Sequence, residues 1–267
     1  MLSSDYLIKG ITGLSRASQG SPMEGHYGAA VIAAYYFCRE NDLDKKTEKA
    51  VQKQIDQLIS KFEPFFISLP AEEPEPGAIS HIIQALDVNV HELRTVGHNV
   101  IFATLAIKAL QDTPSLDIPL AIKGICTLIE GLDQASRGGP FPGWPSSEIS
   151  TATVNPEDKF PAYDDEEAII HITFDALLKI KTICTGMHEG TIGHLLTHAD
   201  ALIELSRLGY PVSAKKGYLS HQIYVKLATR SFVPDEWGGI PRKNPAQYDP
   251  LTGTVPQGSK GCWQPTA

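Results

Sequence analysis

The chain has 267 residues, 42% of them hydrophobic and 20% charged: enough apolar material for a packed core, and too little charge for a disordered acidic chain. Its 23 Lys and Arg stand against 31 Asp and Glu, a net charge of −8 with no basic run, which excludes nucleic acid and anionic membrane as expected partners. There is no membrane-length apolar stretch and no basic-then-apolar start, so the expected location is cytoplasmic; Cys38, Cys126, Cys184 and Cys262 are too widely spaced for a C-x-x-C motif and read as reduced thiols.

The first predicted helix covers 3–19, opened by Ser4 and Asp5 and stopped by Gly20 and Pro22. A second, 24–40, begins with Gly25-His26 and stays apolar on nearly every side, as expected of a helix packed between layers. Helix 44–62 has Val51, Ile55, Leu58 and Phe62 on one face and lysines around the rest, so that its other side is wet. Four prolines between 64 and 77 make a loop, a short helix follows near 78–88, and helix 95–110 again opens on a Gly-His pair, Gly97-His98. In helix 117–137, Pro119 sits in the first turn and Ile118, Ile122, Ile125, Ile129 and Leu132 share a face. The loop 138–164 carries five prolines with Phe141, Trp144, Phe160 and Tyr163, a length and aromatic content that suit an ordered functional segment. Helices 165–183, 190–208 and 214–231 complete a single domain spanning 1–267, with 232–267 an irregular tail packed on it.

Two self-similarities run through these elements. Residues 13–22 and 131–140 agree at six of ten positions, and each copy is preceded by Ile-Lys-Gly-Ile, at 8–11 and 122–125. His26, His98 and His171 are spaced by 72 and 73 residues. Both patterns fit an all-α helical repeat of about four outer/inner hairpins: outer helices 3–19, 44–62, 117–137 and 190–208; inner helices 24–40, 95–110, 165–183 and 214–231. The helix near 80 is then an insertion, and the long Pro/Gly-rich loops gather at the end where the inner helices begin. This alternation resembles the α/α barrels and toroids, a group that includes glycosidases, polysaccharide lyases, epimerases and terpenoid cyclases. It matches no motif of theirs, so the resemblance assigns no catalytic residue.

At the N-termini of inner helices, His26, His98, His171 and His221 would converge on one face, where imidazoles suit proton transfer or a divalent metal. Asp175 lies one turn after His171 in an apolar helix and makes with it an expected acid/base pair, as Glu24 could with His26. Tyr27, Trp144 and Tyr224 are the candidates for contacting a sugar or aromatic substrate. His194 and His198, four apart, have chelating spacing, but the repeat puts their helix outside, so they read as a wet helix face. The acidic run 164–167 reads as charge favoured at a helix start. No phosphate loop or G-x-G-x-x-G is present, and no nucleotide cofactor is expected.

The expected function is therefore a small-molecule enzyme of undetermined reaction. Its His-lined pocket would run acid/base or metal-assisted chemistry of the lyase, isomerase, cyclase or hydrolase type on a small-molecule ligand. The competing expectation is a non-catalytic helical-repeat scaffold that binds protein.

Overall fold

Ten α-helices and one two-residue antiparallel pair, Ile183–Cys184 with Arg242–Lys243, make up the regular structure of the computed structural model, which describes residues 2–139, 141, 144–180, 183–184, 188–229 and 242–243. The expected irregular tail, with Trp237 and Cys262, lies outside the described residues apart from that pair. Among the described residues no helix is long and apolar enough to cross a membrane.

Helix α1 (Asp5–Ala17) buries Leu7, Ile11 and Leu14 along one stripe and presents Gly10 and Gly13 to α2 (Gly25–Glu40). The glycines bring the two backbones close: a Cβ on Gly28 would stand 2.4 Å from the Leu14 nitrogen. Helix α3 (Lys45–Lys61) starts where Asp44 accepts from the Thr47 backbone N–H at 2.7 Å, and it buries only Ile55 fully, as its lysine-rich sequence anticipates. After a loop come α4 (Ile79–Asp87) and α5 (His98–Asp112).

Helix α5 is the centre of the molecule. From 98 to 110 it has no exposed residue, and it packs against α1, α2, α4, α9 (His188–Arg207) and α6 (Pro119–Glu130). These contacts do not confirm a ring of inner helices around a cavity, the arrangement that the alternation predicts. Nor do the expected outer helices stay outside: α1 is buried over most of its length, and α9 joins both of the larger apolar clusters. Ala201, Leu202 and Leu205 of α9 belong to the cluster shared by α1, α2, α4, α5 and α6. Leu195 belongs to a second one with Phe141 and with residues of α8 (Glu166–Lys179) and α10 (Pro211–Thr229).

Helix α6 ends at Glu130, seven residues before its expected stop. The carbonyls of Ala135, Ser136 and Arg137 are instead used by the Arg94 side chain and by the Thr95 and Val96 backbone N–H groups, an extended pairing that competes with helix. Within the predicted loop 138–164 a short helix forms, α7 (Ser146–Thr151), and Trp144 donates from Nε1 to the Leu227 carbonyl at 3.1 Å. The acidic run does cap a helix start: Asp165 accepts from the Ala168 N–H at 2.8 Å at the head of α8. Cys38 is buried and Cys126 half-buried, both as free thiols pushed up in pKa chiefly by that burial.

Candidate metal centre

Helices α2, α5 and α9 bring their N-terminal turns together, and one histidine from each meets the other two. His26 Nε2 lies 2.7 Å from His98 Nε2, and His98 Nε2 lies 3.1 Å from His194 Nε2. One ligand atom from each of the three sits within 4.8 Å of the others.

The tautomers of this trio follow from what faces the opposite ring nitrogen. His26 Nδ1 is 2.7 Å from the Met23 carbonyl, His194 Nδ1 is 2.6 Å from the Gly190 carbonyl, and His98 Nδ1 meets the Thr95 carbonyl. A carbonyl oxygen only accepts, so each Nδ1 carries the proton and donates it. With Nδ1 as the donor, the neutral tautomer of each ring leaves a bare lone pair on Nε2, and the three Nε2 atoms face one another. Two such nitrogens at 2.7 Å repel unless something positive is shared between them. Burial drives the His98 pKa down to about 4, the hydrogen bond to Thr95 opposing it and His26 and His194 lowering it a little further, so a proton on His98 is disfavoured near neutral pH. A divalent transition metal fits the arrangement. Imidazole Nε2 atoms bind it at about 2.0–2.1 Å, so in a tetrahedral site they stand about 3.3 Å apart, and the two measured separations need to open by only about half an ångström. An Nδ1–H donated to a backbone carbonyl is also the usual outer support of a metal-binding imidazole.

The chain goes to some length to place those carbonyls. In front of His26, Ser21 and Glu24 form a reciprocal capping box around the turn Pro22–Glu24, which presents the Met23 carbonyl. This uses the Glu24 carboxylate on the Ser21 N–H, so Glu24 does not pair with His26. In front of His98, three consecutive residues have positive φ: Thr95 (44°), Val96 (53°) and Gly97 (93°). For two β-branched residues this is a strained conformation, held by the pairing with 136–137. Residues 13–22 thus lead into the turn that supports His26, and residues 135–138, within the second of the two similar segments, brace the turn that supports His98.

Of the other expected site residues, none joins the trio. His171 is exposed on α8 with its Nε2 3.4 Å from Glu167, so the expected pairing with Asp175 does not form, and Asp175 faces a smaller cleft with Asp158 and Lys226. His221 stands in the middle of α10, not at a helix start, because that helix begins at Pro211. It is fully buried between Tyr163 and Thr173, at 2.9 and 3.1 Å. Tyr27 stacks on Phe62 with centroids 3.8 Å apart, Tyr224 donates to the Thr191 carbonyl inside the second apolar cluster, and Trp144 is tied to α10.

The H-x-x-x-H pair of α9 divides its labour. His194 joins the centre, while His198 is buried beneath Gly97 with no hydrogen-bond partner for its Nδ1 among the described residues. From the trio a groove of about 520 Å³ runs between α2, α5 and α9, within the range of small-molecule clefts. Each helix contributes at a matching spacing: His26 then Ala29, Ala30 and Ala33; His98 then Ile101, Phe102 and Leu105; His194 then Thr197 and Ala201. At the far end Lys108 is held between Glu40 at 2.8 Å and Glu204 at 2.9 Å, over the Tyr36 ring. No protein-family model matches the chain, and no curated protein or solved structure does either.

Proposed function

We propose that the protein is a metal-dependent hydrolase of small molecules, its metal held by His26, His98 and His194 and its substrate lying in the groove between α2, α5 and α9. The observation that carries this reading is the convergence of three proton-free Nε2 atoms, each with its Nδ1 hydrogen bonded to a backbone carbonyl. Three neutral nitrogen ligands leave the full charge of a divalent ion uncompensated and a coordination position open, the pattern of catalytic zinc sites as opposed to closed structural ones. A divalent ion there supplies Lewis-acid polarisation of a substrate oxygen and brings the pKa of a water down to about 7. The residues do the rest. The carbonyls of Met23, Thr95 and Gly190 fix ring orientation, Phe102 packs edge-on against His26 with centroids 5.4 Å apart and covers the inner side, and the alanines of α2 leave room for a substrate chain. The site needs only α2, α5 and α9 side by side, and a closed toroid is not required for it.

The test is metal binding. Protein stripped with chelator and titrated with Co²⁺ is expected to take up one equivalent and to show the intense visible band of a low-coordinate cobalt site. His98→Ala is expected to weaken binding by about 100-fold or more, the upper end of what loss of a mere supporting contact does. His171→Ala, on the exposed face of α8, is expected to bind as the wild type does. A wild type without the band, or an unaffected His98→Ala, would overturn the reading.

A further inference from the structure

The groove has two ends of different chemistry, and its charged groups are not all spoken for. Lys108 is neutralised twice over, by Glu40 and Glu204. Arg207 is paired with Glu166 at 2.9 Å. Neither cation is therefore free to receive an anionic ligand. Asp200, in contrast, lines the open side of the groove, exposed to solvent, with no hydrogen bond or ion pair among the described residues. Partial desolvation raises its carboxyl pKa, with Glu204 and Glu40 adding to that rise and Lys108 and Arg207 opposing it. Standing open at the groove without a partner of its own, this carboxylate can receive a cation brought in by a ligand.

Position then sets a length. Asp200 follows His194 by six residues on the same helix, about 9 Å along its axis, and the wall between them is formed by Thr197 with Ala29, Ala30, Ala33, Ile101 and Leu105 of the facing helices. Resting on the metal reading above, we propose that the substrate is an extended aliphatic molecule with its hydrolysable carbonyl group at the three histidines and a cationic amine at Asp200. An amide or ester of an ω-amino acid, or an acylated diamine, has this form. An anionic tail of the same length meets the Asp200 carboxylate, while Lys108 and Arg207 already have carboxylate partners, and is disfavoured.

The experiment compares three hydroxamates of equal chain length, each able to bind the metal through its head group: ε-aminocaproic hydroxamic acid, caproic hydroxamic acid and adipic monohydroxamic acid. Their affinities for the cobalt-loaded protein are read from the visible band. The amine-tailed probe is expected to bind about tenfold more tightly than the methyl-tailed one, as one partly screened ion pair allows, and the carboxylate-tailed probe most weakly. In Asp200→Asn the amine and methyl tails are expected to bind alike, with the methyl-tailed affinity unchanged. Equal affinities in the wild type, or an amine preference that survives in Asp200→Asn, would overturn the proposal while a normal cobalt band leaves the metal centre standing. Absence of the band overturns both.

Discussion

At Gly97 the backbone turns with a φ of +93°, and a Cβ there would stand 2.7 Å from the His198 ring carbons. Gly97→Ala therefore meets two obstacles at once, a left-handed conformation that L-residues resist and an aromatic ring with no space to retreat into a filled core. It is expected to cost about 2–3 kcal/mol of folding stability, measured by urea denaturation, and to weaken cobalt binding because the Thr95 carbonyl moves with the turn. At this scale the sequence was partly legible. Gly25-His26 and Gly97-His98 stand out because each glycine precedes an apolar helix that has no other reason to begin with imidazole. His194 was hidden. Its spacing with His198 has the look of a solvent-facing stripe, and only the burial of α9 against two apolar clusters shows that one imidazole goes to the centre and the other into the interior. Asp200 was equally hidden, since an aspartate on a presumed outer helix needs no partner.

Between elements, α1 and α2 come close together where Gly10 and Gly13 face Gly28. A methyl group at 28 would fall 2.4 Å from the Leu14 nitrogen and 2.5 Å from the Gly10 carbonyl oxygen, both backbone atoms that cannot step aside singly. Gly28→Ala gains a little helix propensity and loses the packing, so α2 must shift bodily. The expected outcome is a net destabilisation of about 2 kcal/mol or more, seen as a lowered melting temperature, and because α2 carries His26, a weaker cobalt site as well. Helix positions themselves are legible, since capping residues and 3.6-residue periodicity are local properties, and nine helices form near where the pattern puts them. Which helices lie inside is not. Inner and outer were inferred from apolarity, but α1 and α9 reach the interior through small residues, Gly10, Gly13 and Ala201 among them, that register weakly as hydrophobic yet permit close packing.

For the whole molecule, pH is the perturbation that reaches furthest, because two histidines are entirely buried. Thr173 donates its hydroxyl proton to the Ile169 carbonyl at 2.7 Å, so its oxygen accepts from His221 Nε2–H, and His221 Nδ1 in turn accepts from the Tyr163 hydroxyl. The neutral ring is satisfied at both nitrogens, and a second proton would land where Tyr163 already donates. Burial accordingly lowers the His221 pKa to about 3, and lowers that of His198 well below its usual value, with His221 and His98 adding to the effect. In the unfolded chain both titrate near 6.5. Their neutral-state stabilisation is thus complete above about pH 6.5 and is lost as the pH falls below it, since the unfolded chain takes up protons that the folded one refuses. Each contributes a slope of up to about 1.4 kcal/mol per pH unit, and His98, lowered to about 4, adds a third such contribution, which together steepens acid destabilisation to nearly 4 kcal/mol per unit between about pH 6 and pH 4.5, before most carboxylates titrate. Urea unfolding across that range, in chelator so that metal release does not contribute, is expected to show this slope in the wild type. His221→Gln keeps a donor and an acceptor but has no titration. It is expected to be less stable at neutral pH and to lose roughly a third of the slope. Equal slopes for the two proteins would mean that His221 is protonated in the folded state, and that the buried network around Tyr163 and Thr173 carries charge instead of excluding it.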